Sequence, residues 1–229
     1  MMNFSKVTIA TISALALAAC GDNNGTTDIE IAVPVEYEVT LKNLTNGQPI
    51  SPPALLLHDS GEIWSVGSPA SNALELLAES GDSSEIIESS FILSYASAEA
   101  GITYGESATV TVSHTEQVNY LSFASMLGNS NDAFTGLNKV DLSELAIDES
   151  LTYTTVAYDA GTEANTETAE TVPGPAGNGE AYNELRDDVD MVTMHPGLVT
   201  SDDGLSSSTL TYQQKFDNPV MSVVIKRIQ

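Results

Sequence analysis

Acidic side chains in two turn-rich stretches are the residues of this chain best suited to chemistry. Asp132 closes the run Gly128-Asn129-Ser130-Asn131-Asp132. Asp159, Glu163 and Glu167 punctuate the run Asp159-Ala160-Gly161-Thr162-Glu163-Ala164-Asn165-Thr166-Glu167. Carboxylates gathered at one place repel one another unless a cation sits between them, and hard oxygen donors select calcium over softer metals. Gly161 allows a turn tight enough to aim backbone carbonyls at an ion. Neither stretch carries the D-x-[DN]-x-[DN]-G pattern of an EF-hand. With 32 Asp and Glu against 7 Lys and Arg, acids fall in most loops of this chain. Spacing alone therefore leaves calcium and ordinary acidic turns both open.

Catalytic patterns are sparse. The three histidines, His58, His114 and His195, stand in no H-E-x-x-H arrangement and in no close pair of the kind zinc sites use. Gly81-Asp82-Ser83 resembles the start of a lipolytic serine motif, but no D-x-x-H follows it, and the residues read as helix capping. Ile63-Trp64-Ser65-Val66-Gly67 lacks the first glycine of a nucleophile elbow. A Ser–His–Asp triad assembled in space around His58 or His195 stays open, against a turn-fixing role for both imidazoles. Gly174, Gly177 and Gly179 lie among prolines and acids, which repel phosphate. They read as turns.

The elements that must carry these residues are mostly strands. Residues 36–42 alternate strictly, with Tyr37, Val39 and Leu41 on one face, and residues 107–113 repeat the pattern with Ala108, Val110 and Val112. Residues 118–127, 134–140, 151–158, 191–195 and 220–228 are further strands rich in β-branched and aromatic types, the last apolar on both faces as a central strand would be. If 118–127, 134–140 and 151–158 form an up-down-up meander, the loops after the first and third strands share one end of the sheet. Asp132, Asp159 and Glu163 then meet. One helix is expected over 70–79, with Ser68 as cap and Pro69 at the first helical position, and a shorter one over 84–89. Residues 163–190 read as a long surface excursion. The fold class is all-β, an antiparallel sandwich with one or two short helices.

The N-terminal residues read as an export leader. Lys6 precedes an uncharged apolar run that ends in Leu17-Ala18-Ala19-Cys20. At about 13 residues the run is shorter than the roughly 20 a membrane-spanning helix needs. Small residues before a cysteine mark lipoprotein processing, in which the Cys20 sulfur takes the lipid. Cys20 is the one cysteine of the chain, so the folded part has no internal disulfide. Residues 1–19 are read as leader, 20–33 as a flexible tether and 34–229 as one domain. The net charge of −25 disfavours nucleic acid and anionic lipid head groups, and suits cations, cationic surfaces or simple solubility. The expected location is the cell envelope, at the outer membrane or cell surface rather than the inner membrane.

Several segments together resemble the bacterial branch of the spondin N-terminal domain family. They include residues 37–49, Pro52-Pro53 leading to His58, residues 67–71, 77–82, 125–127 and 131–137, Tyr158 to Asn165, His195-Pro196-Gly197 and Asn218-Pro219-Val220. The resemblance covers nearly all of residues 35–228, and its two acidic-loop motifs are the most distinctive. It implies a C2-like antiparallel β-sandwich with a calcium ion held by loops at one end, in a family whose animal members serve extracellular matrix and cell adhesion. By that resemblance Asp132, Asp159 and Glu163 are the ligand set, with Asn131, Asp141, Asn165 and Glu167 in reserve. This chain differs from the animal pattern in lacking structural cysteines and thrombospondin repeats and in carrying a lipid anchor. The expected function is a lipid-anchored, calcium-binding adhesion or binding module of the envelope, contacting protein or polysaccharide, and no enzyme. The alternatives are a structural envelope lipoprotein without a specific ligand and an uncharacterised hydrolase.

Overall fold

The computed structural model describes residues 33–229. Cys20, the leader and nearly all of the tether lie outside the described residues. Two antiparallel sheets face each other, which makes the domain an all-β sandwich. The four-stranded sheet has the order β4 (Ser107–His114), β1 (Val35–Asn43), β10 (Met221–Arg227), β7 (Ser150–Thr155). The six-stranded sheet has the order β3 (Ile92–Ser97), β2 (Ala54–His58), β5 (Tyr120–Met126), β6 (Ala133–Asp141), β8 (Ala157–Asp159), β9 (Thr193–Met194). Among the described residues no helix is long and apolar enough to cross a membrane.

Period-two patterning sets the first sheet. Tyr37, Val39 and Leu41 of β1 have no exposed surface and pack between the sheets with Val110, Val112, Phe123, Val223 and Ile225. Strand β10 lies between β1 and β7, as a central strand should, but it alternates: Met221, Val223 and Ile225 are buried, while Val224 is half-buried. Its outer face is not covered by a second layer.

The six-stranded sheet is covered on both faces, and this explains its composition. Helix α1 (Asn72–Ser80) and the shorter α2 (Ser84–Ile87) lie on its outer side. Leu74, Leu77 and Ala78 of α1 join Leu56, Ala124, Phe134 and Trp64 in a second core. Burying a leucine side chain contributes about 1.5–3 kcal/mol, so this layer holds the helix in place. Leu55 and Leu57 point into the inter-sheet core and Leu56 into the helix-side core. All five residues of β2 are buried, and such a strand reads as a continuous apolar run instead of an alternation. For that reason period-two alternation does not reveal β2.

Several boundaries differ from the sequence expectation, among them the shorter α2, β5 and β9. Helix α1 is capped by Ser71, whose Oγ accepts the Leu74 N–H at 3.2 Å, so the helix begins one turn after Ser68-Pro69. At its other end Gly81 adopts φ +75°, a left-handed cap. The expected strand over 151–158 divides at Val156: β7 pairs with β10 in one sheet and β8 with β6 in the other. The Asn218 side chain accepts the Ala157 N–H at 2.8 Å where the chain crosses between sheets. Strand β3 is a further edge strand that the sequence reading did not name.

Strands β5, β6 and β8 pair consecutively and antiparallel, which is the expected meander. The loops after β5 and after β8 therefore lie at one end of the sheet. Asp141 falls opposite Tyr120 at the other end.

Leu56→Ala is expected to lower unfolding stability by about 2–5 kcal/mol, the usual cost of a buried Leu→Ala cavity. Urea denaturation of the domain checks this, with the exposed Leu93→Ala expected within about 0.5 kcal/mol of wild type.

Candidate cation site

The loop after β5 closes on itself before it delivers Asp132. Ser130 Oγ donates to the Leu127 carbonyl at 2.6 Å and accepts the Ala133 N–H at 3.1 Å. Ala133 then pairs with Asp159 across β6 and β8, and the Ala160 N–H reaches the Asp132 carbonyl at 3.3 Å. Asp132 and Asp159 thus stand on neighbouring strands at the same tip. The register of one ladder brings them together.

Both side chains are buried. Asp132 Oδ2 accepts the backbone N–H groups of Thr162 at 2.8 Å and Glu163 at 3.2 Å, and the Thr162 hydroxyl at 3.2 Å. Asp132 Oδ1 is buried without a partner. Asp159 Oδ1 accepts the Gly161 N–H at 2.8 Å, and Asp159 Oδ2 accepts the Asn165 Nδ2 at 2.7 Å. Gly161 has φ +70°, and a Cβ there would fall 2.4 Å from the Met191 carbonyl oxygen. This turn tolerates no side chain.

Four buried side-chain oxygens at this tip have no hydrogen-bond partner: Asp132 Oδ1, Asn131 Oδ1, Asn165 Oδ1 and Glu167 Oε2. Leaving a buried polar atom unpaired costs about 1–3 kcal/mol, more for a charged one. Such atoms are normally satisfied, so these four acceptors, with the likewise unpaired His195 Nε2, mark a tip whose polar groups are incompletely paired. All four are hard acceptors, the donor type that suits calcium.

Burial, with the charge of Asp159 as second cause, raises the Asp132 carboxyl to about 7. Glu167 is raised to about 7 by burial and then by Asp159. Glu163 goes up to about 8, first by burial and then by the charges of Glu79 and Asp132. None of the four ion pairs among the described residues involves Asp132, Asp159, Glu163 or Glu167. Nor do three Asp, Glu, His or Cys side chains among the described residues form a ready group for holding a metal. Both Asp159 oxygens and Asp132 Oδ2 accept hydrogen bonds from backbone and amide donors.

The expected ligand set meets around Asp132, though not symmetrically. Asp132 and Asp159 are neighbours, and the Glu163 backbone joins them through its N–H. The Glu163 carboxyl shares its surroundings with Glu79, whose Oε1 accepts the Thr162 hydroxyl at 2.7 Å and whose Oε2 accepts the Asn183 N–H at 2.9 Å. Burial raises the Glu79 carboxyl as well. Glu167, Asn165 and Asn131 carry the orphaned oxygens around Asp159 and Asp132, and Asp141 is remote. Glu79 was missed in the sequence. Its signal was available, since Glu75 and Glu79 lie four apart beside Leu74 and Ala78 on the buried stripe of α1.

His195 is also buried at this tip, where its pKa is lowered by burial while the Asp159 charge opposes the shift. Its Nδ1 accepts the Gly197 N–H at 3.0 Å, so Nε2 carries the proton. That proton makes Nε2 a donor and removes it from any neutral ligand set. His58 stands elsewhere, with Nδ1 at 2.8 Å from the Ser60 carbonyl and Nε2 at 2.8 Å from Ser122 Oγ. The spacing matches a serine–base pair, but His58 and Ser122 have no exposed surface, and Ser122 Oγ also accepts the Lys139 N–H. Both imidazoles fix turns at strand ends.

No curated protein matches the sequence. The family described as Spondin_N matches residues 57–177, which span β2 to the loop after β8 and include both acidic turns. The match takes in just over half of the chain. The chain belongs to the spondin N-terminal domain family.

Proposed function

We propose that this protein is an exported binding module of the cell envelope, anchored through lipid on Cys20, whose sandwich holds a calcium ion at the Asp132–Asp159 tip. Family membership points to an extracellular binding or adhesion module. The observation that carries the calcium reading is the set of orphaned buried oxygens around two carboxylates with no basic partner. Asp132 and Asp159 would hold the ion, with Glu167, Asn165 and Asn131 as oxygen donors and Glu163 on the Glu79 side. The ion would supply counter-charge that lets buried carboxylates ionise, and it would tie the 159–167 turn to the loop before β6. Its role is structural and not catalytic, in keeping with a serine–histidine pair that substrate cannot reach. The anchor favours the outer membrane or cell surface.

A ligand that binds only the folded state stabilises it by about 2.7 kcal/mol at a hundredfold excess over its Kd. For a domain of this size calcium should therefore raise Tm by roughly 5–10 °C. Chelator should reverse the rise, and Asp159→Ala should abolish it. Differential scanning calorimetry reads all three, and a Tm indifferent to calcium and chelator defeats the reading.

The raised carboxyls also set a pH dependence. In chelator, the native state holds protons at Asp132, Glu163 and Glu167 that the unfolded chain releases near pH 4. The stability these groups confer is present below about pH 4 and is lost as pH rises through about 7 to 8. Tm without calcium should fall between pH 5 and pH 8, and the calcium-dependent gain should grow over the same interval. Melting curves across that range check the sign.

A further inference from the structure

A cleft of about 580 Å³ opens beside the loop after β5, which contributes Asn129 to its lining. Its walls come from Asn46 and Gly47, from Thr103 and Tyr104, and from Gln213 and Gln214. No residue lining it carries a charge, in a chain with 32 acidic residues. A second cleft, of about 550 Å³, shares Asn46 but is lined otherwise by Tyr212, Lys215, Phe216 and Asp217, so it carries charge of both signs and is distinct from the neutral one. Both volumes fall in the range of small-molecule sites.

The floor is fixed by buried amides. Gln48 has no exposed surface; its Oε1 accepts the Asn129 N–H at 2.9 Å, and its Nε2 donates to the carbonyls of Asn129 at 3.1 Å and Gln214 at 2.8 Å. Asn129 Nδ2 donates to the Gly47 carbonyl at 2.8 Å, and Asn129 Oδ1 accepts the Ala176 N–H at 3.0 Å. A Cβ at Gly47 would fall 2.1 Å from the Gln213 carbonyl oxygen, so these backbones meet as closely as glycine permits. Four separate chain segments are thus locked together. A ligand entering here orders little, which favours binding.

What lines the walls is a set of uncommitted amides with an aromatic edge. Asn46 and Gln213 are exposed, and Asn46 uses only Nδ2, toward the Gln213 carbonyl at 3.4 Å. Gln214 Oε1 caps the turn at Thr211, which leaves Nε2 as a donor. Planar amides offer a donor and an acceptor side by side, the arrangement that reads neighbouring hydroxyl groups. Tyr104 is 53% exposed and presents an apolar ring with a polar tip to the cleft. Cations gain nothing from a cleft without carboxylates, and polyanions are repelled by the chain as a whole. Peptide side chains find no deep apolar pocket among glycine, alanine and proline walls. The chemistry that fits is a neutral chain of hydroxyl groups and C–H faces.

We propose that this cleft binds a neutral polysaccharide, with Asn46, Gln213 and Gln214 contacting its hydroxyls and Tyr104 packing on a sugar ring. The proposal rests on the reading of the protein as a binding module and is independent of the calcium ion. Isothermal calorimetry tests it with the purified protein and neutral hexasaccharides of α- and β-linked glucose, mannose, galactose and N-acetylglucosamine, with heparin and an uncharged peptide pool as contrasts. At least one neutral hexasaccharide should bind. Tyr104→Ala and Gln213→Ala should each weaken it by roughly tenfold or more with Tm unchanged, as truncation of a central contact does, while Tyr95→Ala should leave it unaltered. Binding confined to heparin or peptide, absence of binding across the neutral panel, or equal affinity in all three variants overturns the assignment. Sugar binding without calcium stabilisation removes only the cation reading, and calcium stabilisation without sugar binding removes only this one.

Discussion

Two carboxylates on neighbouring strands, both out of water and without a basic partner, are the constraint around which this domain is arranged. Burial and the neighbouring Asp159 charge both oppose ionisation of Asp132, and a shared cation would remove that cost. Hydrogen bonds from Thr162, Glu163, Gly161 and Asn165 offset part of that cost. They leave oxygens of Asp132, Asn131, Asn165 and Glu167 unpaired. A solvated acidic loop would show neither the burial nor the orphaned atoms.

The fold supplies the means of bringing these groups together. A six-stranded sheet packed on both faces is rigid, and its β5–β6–β8 meander ends in two loops whose relative position is fixed by ladder register. The switch of sheets at Val156 is what lets the chain leave β7 in one layer and present Asp159 from the other. The segment after Glu163 then folds back: the Asp187 N–H reaches the Thr162 carbonyl and the Asp190 N–H the Gly161 carbonyl. Arg186 meets Glu75 at 2.6 Å and so ties that segment to α1. The acidic tip is closed over by its own chain. The neutral cleft lined by Asn129 of the same β5 loop stays open.

The sequence made β1 and β4 of the four-stranded sheet legible because one face of each meets water and period-two alternation survives, while β10 was legible from its β-branched apolar run. It obscured β2, where cover on both faces removes the alternation, and the cap of α1, where Ser68-Pro69 and Ser71 both carry plausible signals and only packing decides. The two acidic loops and their meeting were readable from a meander and from family resemblance. The division of labour within them was not. Glu163 and Glu167 both sit in one turn of alternating small and acidic residues, and spacing does not reveal which carboxyl faces Asp159 and which faces Glu79. Glu167 adopts φ +57°, a left-handed conformation uncommon for a glutamate, and this turns the chain in a way no residue pattern announces. The Gln48–Asn129 network escaped the sequence for a related reason: two amides 81 residues apart look like ordinary surface residues until the fold buries both.

Proton release on calcium binding tests the central claim most directly. Calorimetric titration of the protein at pH 7, repeated in buffers of different ionisation enthalpy, measures both the ions bound and the protons displaced. Buried carboxyls held near 7 to 8 must give up protons to a bound cation, so one ion per chain with net proton release is the predicted result. Absence of binding, or binding with no proton released and undiminished in Asp132→Asn, would contradict the account.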